Sequence, residues 1–295
     1  MTLPSISIVT PSFNQGSYLE RTVKSILSQN YPNLEYVVID GGSTDNSVDI
    51  LNRYSNDLHY WVSESDSGHA NALNKGFSHT TGEIMGWLNS DDMYFPGCFN
   101  TISEIFTKFP EVNWISGLTS VWNDVDSVIN IEGTQKNIFD FLLGRFGWIQ
   151  QESTFWRRSL WDKAGAGLNE SIKYAVDGEL WTRFFLHDDL YPVYSTLGGY
   201  RYTGSNRAFF NSSEIIQETV DAIKKMRGEI DSSTMNILLK LESHLNKGSG
   251  SSSGFNTLNS ILNQKEVERV SYKGIRYNLN QLDERWIKQL LPFTL

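Results

Sequence analysis

Residues 35–47 read EYVVIDGGSTDNS, from Glu35 to Ser47. Tyr36–Ile39 is an unbroken apolar, β-favouring run, and Asp40 closes it. A run that short and continuous reads as a strand buried on both faces, as parallel sheets require. Gly41 and Gly42 let the backbone turn through positive φ. Ser43, Thr44 and Asp45 then offer caps for a helix beginning at about Asn46. Strand, glycine turn and capped helix are the parts of a βαβ unit.

The same alternation extends in both directions. Strands are expected at Ile6–Thr10, Glu35–Asp40, Leu58–Val62 and Glu83–Leu88. Helices are expected at Tyr18–Leu27, Ser47–Tyr54, Ala70–Phe77 and Gly97–Phe109. Strands alternating with helices imply an α/β fold with a mainly parallel sheet and right-handed crossovers. In such sheets ligands sit beyond the carboxyl ends of the strands. Those exits read PSFN, DGGSTD, SESDSG and NSDD. Four acidic or amide-bearing exits in succession exceed what an ordinary scaffold supplies.

Further on, strands are expected within Glu111–Asn130, and short ones at Tyr191–Ser195 and Gly199–Thr203. Helical spacing marks Ile138–Leu143, Ser159–Lys163 and Ala175–Leu186. From Ser212 the pattern turns wholly helical, and GSGSSSG at 248–254 has the composition of a flexible tether. The expected division is a domain over 1–210, with halves meeting near 95/96, and a helical C-terminal extension over 211–295.

Bulk properties narrow the function. The chain has 295 residues, a formal charge of −9 and a single cysteine, Cys98. The acidic balance argues against gripping a nucleic-acid backbone. One cysteine precludes an intrachain disulfide and fits a reducing compartment. MTLPSISIVTPSFN meets polar residues too soon for a signal peptide, and no apolar run approaches the roughly 18–20 residues of a membrane span. The expected location is the cytoplasm, with the inner face of the membrane left open.

Four stretches in order carry a resemblance: SIVTPSFNQGSYLERTVKSILSQNYPNLEYVVIDGGSTDNS, SESDSGHANALNKG, GEIMGWLNSDDMYFPG and STFWRRSLWDKAG with LNESIKYAVDGELWTRF after it. Together they resemble family 2 glycosyltransferases over about residues 5–207. The resemblance implies a GT-A, Rossmann-like fold and an inverting glycosyltransferase of hexosyltransferase type. It implies a nucleotide-sugar donor, UDP-linked by expectation, and a divalent cation, Mg²⁺ or Mn²⁺. The implied acceptor is a hydroxyl on a glycan or lipid-linked glycan.

Site residues follow from the two lines together. Asp40 can accept hydrogen bonds from a base N–H or ribose hydroxyls; the resemblance adds Pro11, Phe13 and Asn14 as its neighbours. Asp66 is implied as a donor-site residue, though Glu64 and Asp66 also suit a helix N-terminus, with Ser67 as its cap. Lys75 reads as a phosphate contact or a solvated lysine, and His69 as structural. In Asn89–Asp92 the family's usual first acid is Asn89, and Asp91 aligns with the metal-binding acid. Hard cations take such oxygen ligands. Asn89 and Ser90 join it on the donor side, while Asp92 supports the turn.

Asp177 is implied as the general base that takes the acceptor's proton. A helix cap is the competing role, and Glu179 is the alternative base. Gln151, Trp156 and Glu179 are expected on the acceptor side, with Trp148 and Trp156 suited either to stacking on a sugar or to core packing. Arg201 matches the family's Arg-x-His, but Thr203 stands where histidine is usual, so Arg201 or Arg207 becomes a candidate for diphosphate charge. Two other classes compete: a silent nucleotide-sugar binder, and a nucleotidyltransferase, which would need a basic loop that PSFNQGSY lacks. The segment 285–293, RWIKQLLPF, suits docking on the core, homodimer pairing or peripheral membrane contact.

Overall fold

The computed structural model describes residues 3–133, 137–144, 149–204, 206 and 212–247. Strands β1 (Ile6–Ser12), β2 (Leu34–Asp40), β3 (Tyr60–Ser63) and β4 (Ile84–Trp87) lie parallel in the order β4-β1-β2-β3. Helices α1 (Leu19–Leu27), α2 (Ser47–Tyr54) and α3 (His69–Ser78) connect them. The register sets Pro11 opposite Ile39 and Ser12 opposite Asp40, so the first two exits end level.

Alternation along each strand splits the interior into two cores. Ile8, Tyr36, Val38 and Ile84 face one, packed against α1, α2 and α4 (Cys98–Lys108). Val9, Val37, Ile39, Met85 and Trp87 face the other, packed against α3. Gly76 lets α3 approach closely: a Cβ there would lie 2.3 Å from Val9 Cγ1.

Beyond β4 the topology departs from simple alternation. After β5 (Met93–Tyr94), β6 (Trp114–Ser116), β7 (Thr119–Trp122) and β8 (Val128–Glu132) comes β9 (Thr154–Arg157). Strand β9 runs antiparallel between β4 and β6, and β10 (Tyr191–Pro192) adds parallel to β6, which completes a seven-stranded sheet. A second sheet has the order β5-β11-β7-β8, with β11 at Gly198–Arg201. The expected strand at 199–203 therefore ends early and joins this small sheet.

Helices α5 (Ile138–Leu142), α6 (Arg158–Lys163) and α7 (Val176–Phe185) cover the second core. Helices α8 (Ser212–Glu229) and α9 (Ser232–Lys247) bury Ala222, Ile223, Met226, Leu238 and Leu241 against the same core. The tether at 248–254 and the stretch at 285–293 lie outside the described residues. Among the described residues no helix is long and apolar enough to cross a membrane.

Candidate active site

The β1 and β2 exits interlock. Asp40 has no exposed surface; its carboxylate accepts from the Ser43 N–H (2.8 Å), the Ser43 hydroxyl (2.6 Å) and the Ser63 hydroxyl (2.6 Å). Asn14 adopts a left-handed φ of 54°. Its side-chain oxygen accepts the Thr44 N–H (2.9 Å) and its own N–H donates to Ser43 Oγ (2.7 Å). Asp40 thus shapes the loop from within. Pro11 is buried, whereas Phe13 is 53% exposed. A Cβ on Gly41 would meet Asp66 Oδ2 at 2.9 Å and Phe13 Cδ2 at 3.3 Å, so Phe13, Gly41 and Asp66 lie close together.

Asp66 also accepts the Gly68 N–H at 2.8 Å. The cap position of α3 is Gly68, at a φ of 120°, and not the expected Ser67. Lys75 pairs with Glu64 at 3.0 Å.

The NSDD turn follows β4. Thr22 Oγ1 bridges the carbonyl oxygens of Ser90 (2.9 Å) and Asp92 (2.7 Å) and holds the turn on α1. Ser90 is buried; Asp91 is partly exposed. Asn89 Oδ1 lies 3.0 Å from His69 Nε2, and its amide nitrogen reaches Asp92 Oδ2 at 3.2 Å and Gln151 Oε1 at 3.5 Å. Asn89 is therefore held between three elements.

Buried groups complete this turn, among them Glu152, which local sequence did not single out. Burial, then the charges of Glu152 and Asp91, push the Asp92 carboxyl well above the usual range. Burial likewise lifts Glu152 to about 7, partly offset by its hydrogen bond with Asp92. Arg201 has no exposed surface. Its N–H donates to Asp92 Oδ1 (2.7 Å), its Nε to the Asp91 carbonyl (2.6 Å) and its Nη1 to the Asn123 carbonyl (2.9 Å). Asp126, at the tip of the β7–β8 hairpin, pairs with both Arg201 and Arg21. Both guanidinium groups lie over the Tyr18 ring. Arg201 is thus committed to holding the turn and the hairpin, which corrects its candidacy for diphosphate charge; Arg207 lies outside the described residues. Thr203 donates through its N–H to Asn206 Oδ1 at 2.8 Å.

Asp177 is the second residue of α7, behind the cap position Ala175. Its Oδ1 accepts the Gly178 N–H at 2.8 Å. Burial raises its carboxyl above the ordinary aspartate range, and its charge acts on Glu152, which also feels Asp91. Asp91, Asp92, Glu152 and Asp177 accordingly share one electrostatic neighbourhood.

The three residues expected on the acceptor side are all buried. Glu179 is buried, and both its oxygens are taken by Arg183 (2.9 and 3.1 Å), whose guanidinium also clasps the Gly167 carbonyl (2.9 Å). Trp156 is fully buried among Phe77, Trp87, Trp161, Trp181 and Phe184, so neither of its faces is open to a sugar. Gln151 is 4% exposed and donates to the Trp87 carbonyl at 2.5 Å, beneath the Asn89 turn. Trp148 lies outside the described residues.

Among the described residues, no three side chains of His, Cys, Asp or Glu are grouped to hold a metal ion. Asn89 Oδ1 is engaged by His69, and Asp92 is buried. The donor set fits a hard cation through one protein carboxylate, Asp91, with its remaining positions left to ligand oxygens and water.

Comparison with known proteins gives the following. The family model described as glycosyl transferase family 2 matches residues 7–159. An uncharacterized glycosyltransferase of Mycobacterium tuberculosis strain H37Rv is 41% identical over 92 residues, 31% of this chain and 35% of the relative. An uncharacterized glycosyltransferase of Rickettsia typhi is 27% identical over 198 residues, 64% of this chain and 61% of the relative. A Bacillus subtilis glycosyltransferase named for teichuronic acid biosynthesis is 38% identical over 94 residues, 31% of this chain and 37% of the relative. These matches span between 35% and 61% of the relatives' own length. The structure of S. aureus TarS in complex with UDP-GlcNAc aligns with a TM-score of 0.61 and 15% identity, over 90% of this chain and 83% of that one. At that identity the likeness shows the fold, which is the GT-A arrangement expected from the sequence.

Proposed function

We propose a reaction from one premise: this chain belongs to glycosyl transferase family 2. It moves a sugar from a nucleotide-diphosphate sugar, a UDP-sugar, to a hydroxyl of a glycan or lipid-linked glycan, and inverts the anomeric carbon. The UDP-GlcNAc bound by TarS and the teichuronic acid naming of the Bacillus relative support these choices of donor and acceptor class. The setting is the cytoplasm.

One observation carries the reading. Asp177 stands partly open at the start of α7, its carboxyl raised by burial, within electrostatic reach of the Asn89–Asp92 turn through Glu152. A carboxylate with raised proton affinity suits general-base work. The acceptor hydroxyl gives its proton to Asp177 as its oxygen bonds to the anomeric carbon. The bond from that carbon to the diphosphate oxygen breaks, and the electron pair leaves with UDP. Approach from the opposite face inverts the centre. Phe13, Asn14 and Asp66 receive the nucleoside, beside Pro11 and Asp40. Asp91 would hold a Mg²⁺ or Mn²⁺ ion, which supplies positive charge against the leaving diphosphate.

The test is a donor screen. Thermal shift and nucleotide release are measured with UDP-, GDP- and dTDP-sugars, Mn²⁺ and a lipid-linked glycan acceptor. UDP release and a glycosylated product from a UDP-sugar are expected. A thermal shift with any sugar donor but no release would instead assign a binding protein without catalysis.

A further inference from the structure

Residues 173–175 lead into α7 and its Asp177. All three donate their backbone N–H groups to one side chain, the carboxylate of Glu218 on α8: Lys173 at 3.0 Å, Tyr174 at 2.9 Å and Ala175 at 2.8 Å. A helix start leaves N–H groups without intrahelical acceptors, and a local side chain usually serves them. Here the cap position is Ala175, which has no side-chain acceptor, and no side-chain cap bond forms. The N–H groups of 173–175, at and just ahead of that cap position, take their acceptor from a helix more than forty positions along the chain. Bonds to an ionised acceptor are stronger than neutral ones, and a negative charge at a helix N-terminus is favourable.

The next residue of α8 lies against Gly178, which follows Asp177. Thr219 is buried, and a Cβ on Gly178 would touch its Oγ1 at 3.6 Å and its Cγ2 at 3.9 Å. Helix α8 is itself anchored, with Ala222, Ile223 and Met226 buried in the core. Residues 173–175 and Gly178 thus bracket Asp177 and bear on neighbouring side chains of one fixed helix.

We infer that Glu218 is a positioning residue for the transfer reaction: its carboxylate fixes the backbone that aims Asp177 at the acceptor. This rests on the reading of Asp177 as general base. It also makes α8 part of the catalytic apparatus rather than an appendage to it. Small displacements of a reacting group cost on the order of a hundredfold in rate.

The test compares Glu218→Ala and Glu218→Gln in the full chain with Asp177→Asn and with the double variant Asp177→Asn/Glu218→Gln. UDP-induced thermal shift confirms that each folds. Glu218→Ala is expected to lower kcat by about 10- to 100-fold with donor KM within about twofold of the parent. Glu218→Gln, which keeps an acceptor oxygen, is expected to recover part of that loss. In the Asp177→Asn background Glu218→Gln should leave the residual rate unchanged. Unaltered kcat in both Glu218 variants, while Asp177→Asn is inactive, overturns the positioning role and leaves the base standing. Full activity in Asp177→Asn overturns the base, and the positioning role with it. A further drop in the double variant, or a loss confined to KM, places Glu218 in some other role and also overturns the inference.

Discussion

Asp92 and Glu152 bury two carboxyl groups that act on each other inside the protein, 1% and 3% exposed. They join the turn after β4 to the segment before β9, and Arg201 locks the pair through its backbone N–H. Two carboxylates this close in a low-dielectric interior do not both ionise, so the pair keeps a proton.

The pair makes stability depend on pH. Burial holds Glu152 at about 7 in the folded chain, against 4.5 without the fold. The folded state then binds more protons than the unfolded one between those values. Stability from this group is greatest below about pH 4.5, falls as pH rises to about 7 and levels off above it. Glu152→Gln should remove much of this slope. Tm measured across that window should decline less in the variant than in the parent.

Asp126 pins the β7–β8 hairpin to α1 and β11 by pairing with Arg21 and with the fully buried Arg201. Asp126→Ala leaves Arg201 without its charged partner. The expected cost is roughly 1–3 kcal/mol, below the figure for a wholly buried pair because Asp126 is 38% exposed. Urea unfolding of the variant checks this; a midpoint equal to the parent's would deny the hairpin its latch.

Trp156 is a core residue by its surroundings. Trp156→Ala should cost about 3–5 kcal/mol through lost contacts and a cavity. The variant should lose stability while the surviving folded fraction keeps its acceptor KM. A raised acceptor KM without destabilisation would return Trp156 to a sugar platform.

Asp91 bears on metal dependence. Chelation by EDTA should suppress transfer, and Mn²⁺ should restore it. Asp91→Asn should raise the Mn²⁺ concentration needed for half-maximal rate by about tenfold or more, since it removes the carboxylate proposed to hold the ion. Turnover indifferent to EDTA would exclude an essential ion at Asp91.

The first four strands were legible because their runs are short and apolar, three of them largely buried on both faces, with helices of clear spacing between them. Strand β9 was not. TFWR is four residues long, and its antiparallel place between β4 and β6 depends on partners far along the chain. The same limit governs the site. Asp92 and Glu152 meet across sixty positions, and nothing local to either announces the other. Glu179 differs: Arg183 stands four residues later on the same helix, and that spacing is a readable sign of an ion pair. Trp156 shows why residue type alone misleads, since an aromatic side chain serves a core and a sugar equally well.

The central claim is that Asp177 removes the acceptor's proton. The direct measurement is kcat for UDP-sugar transfer by Asp177→Asn, alongside UDP-sugar affinity of the same protein. The expected result is a fall in kcat of about 10²–10⁴-fold with donor affinity near that of the parent. Transfer at the parental rate by Asp177→Asn would contradict it.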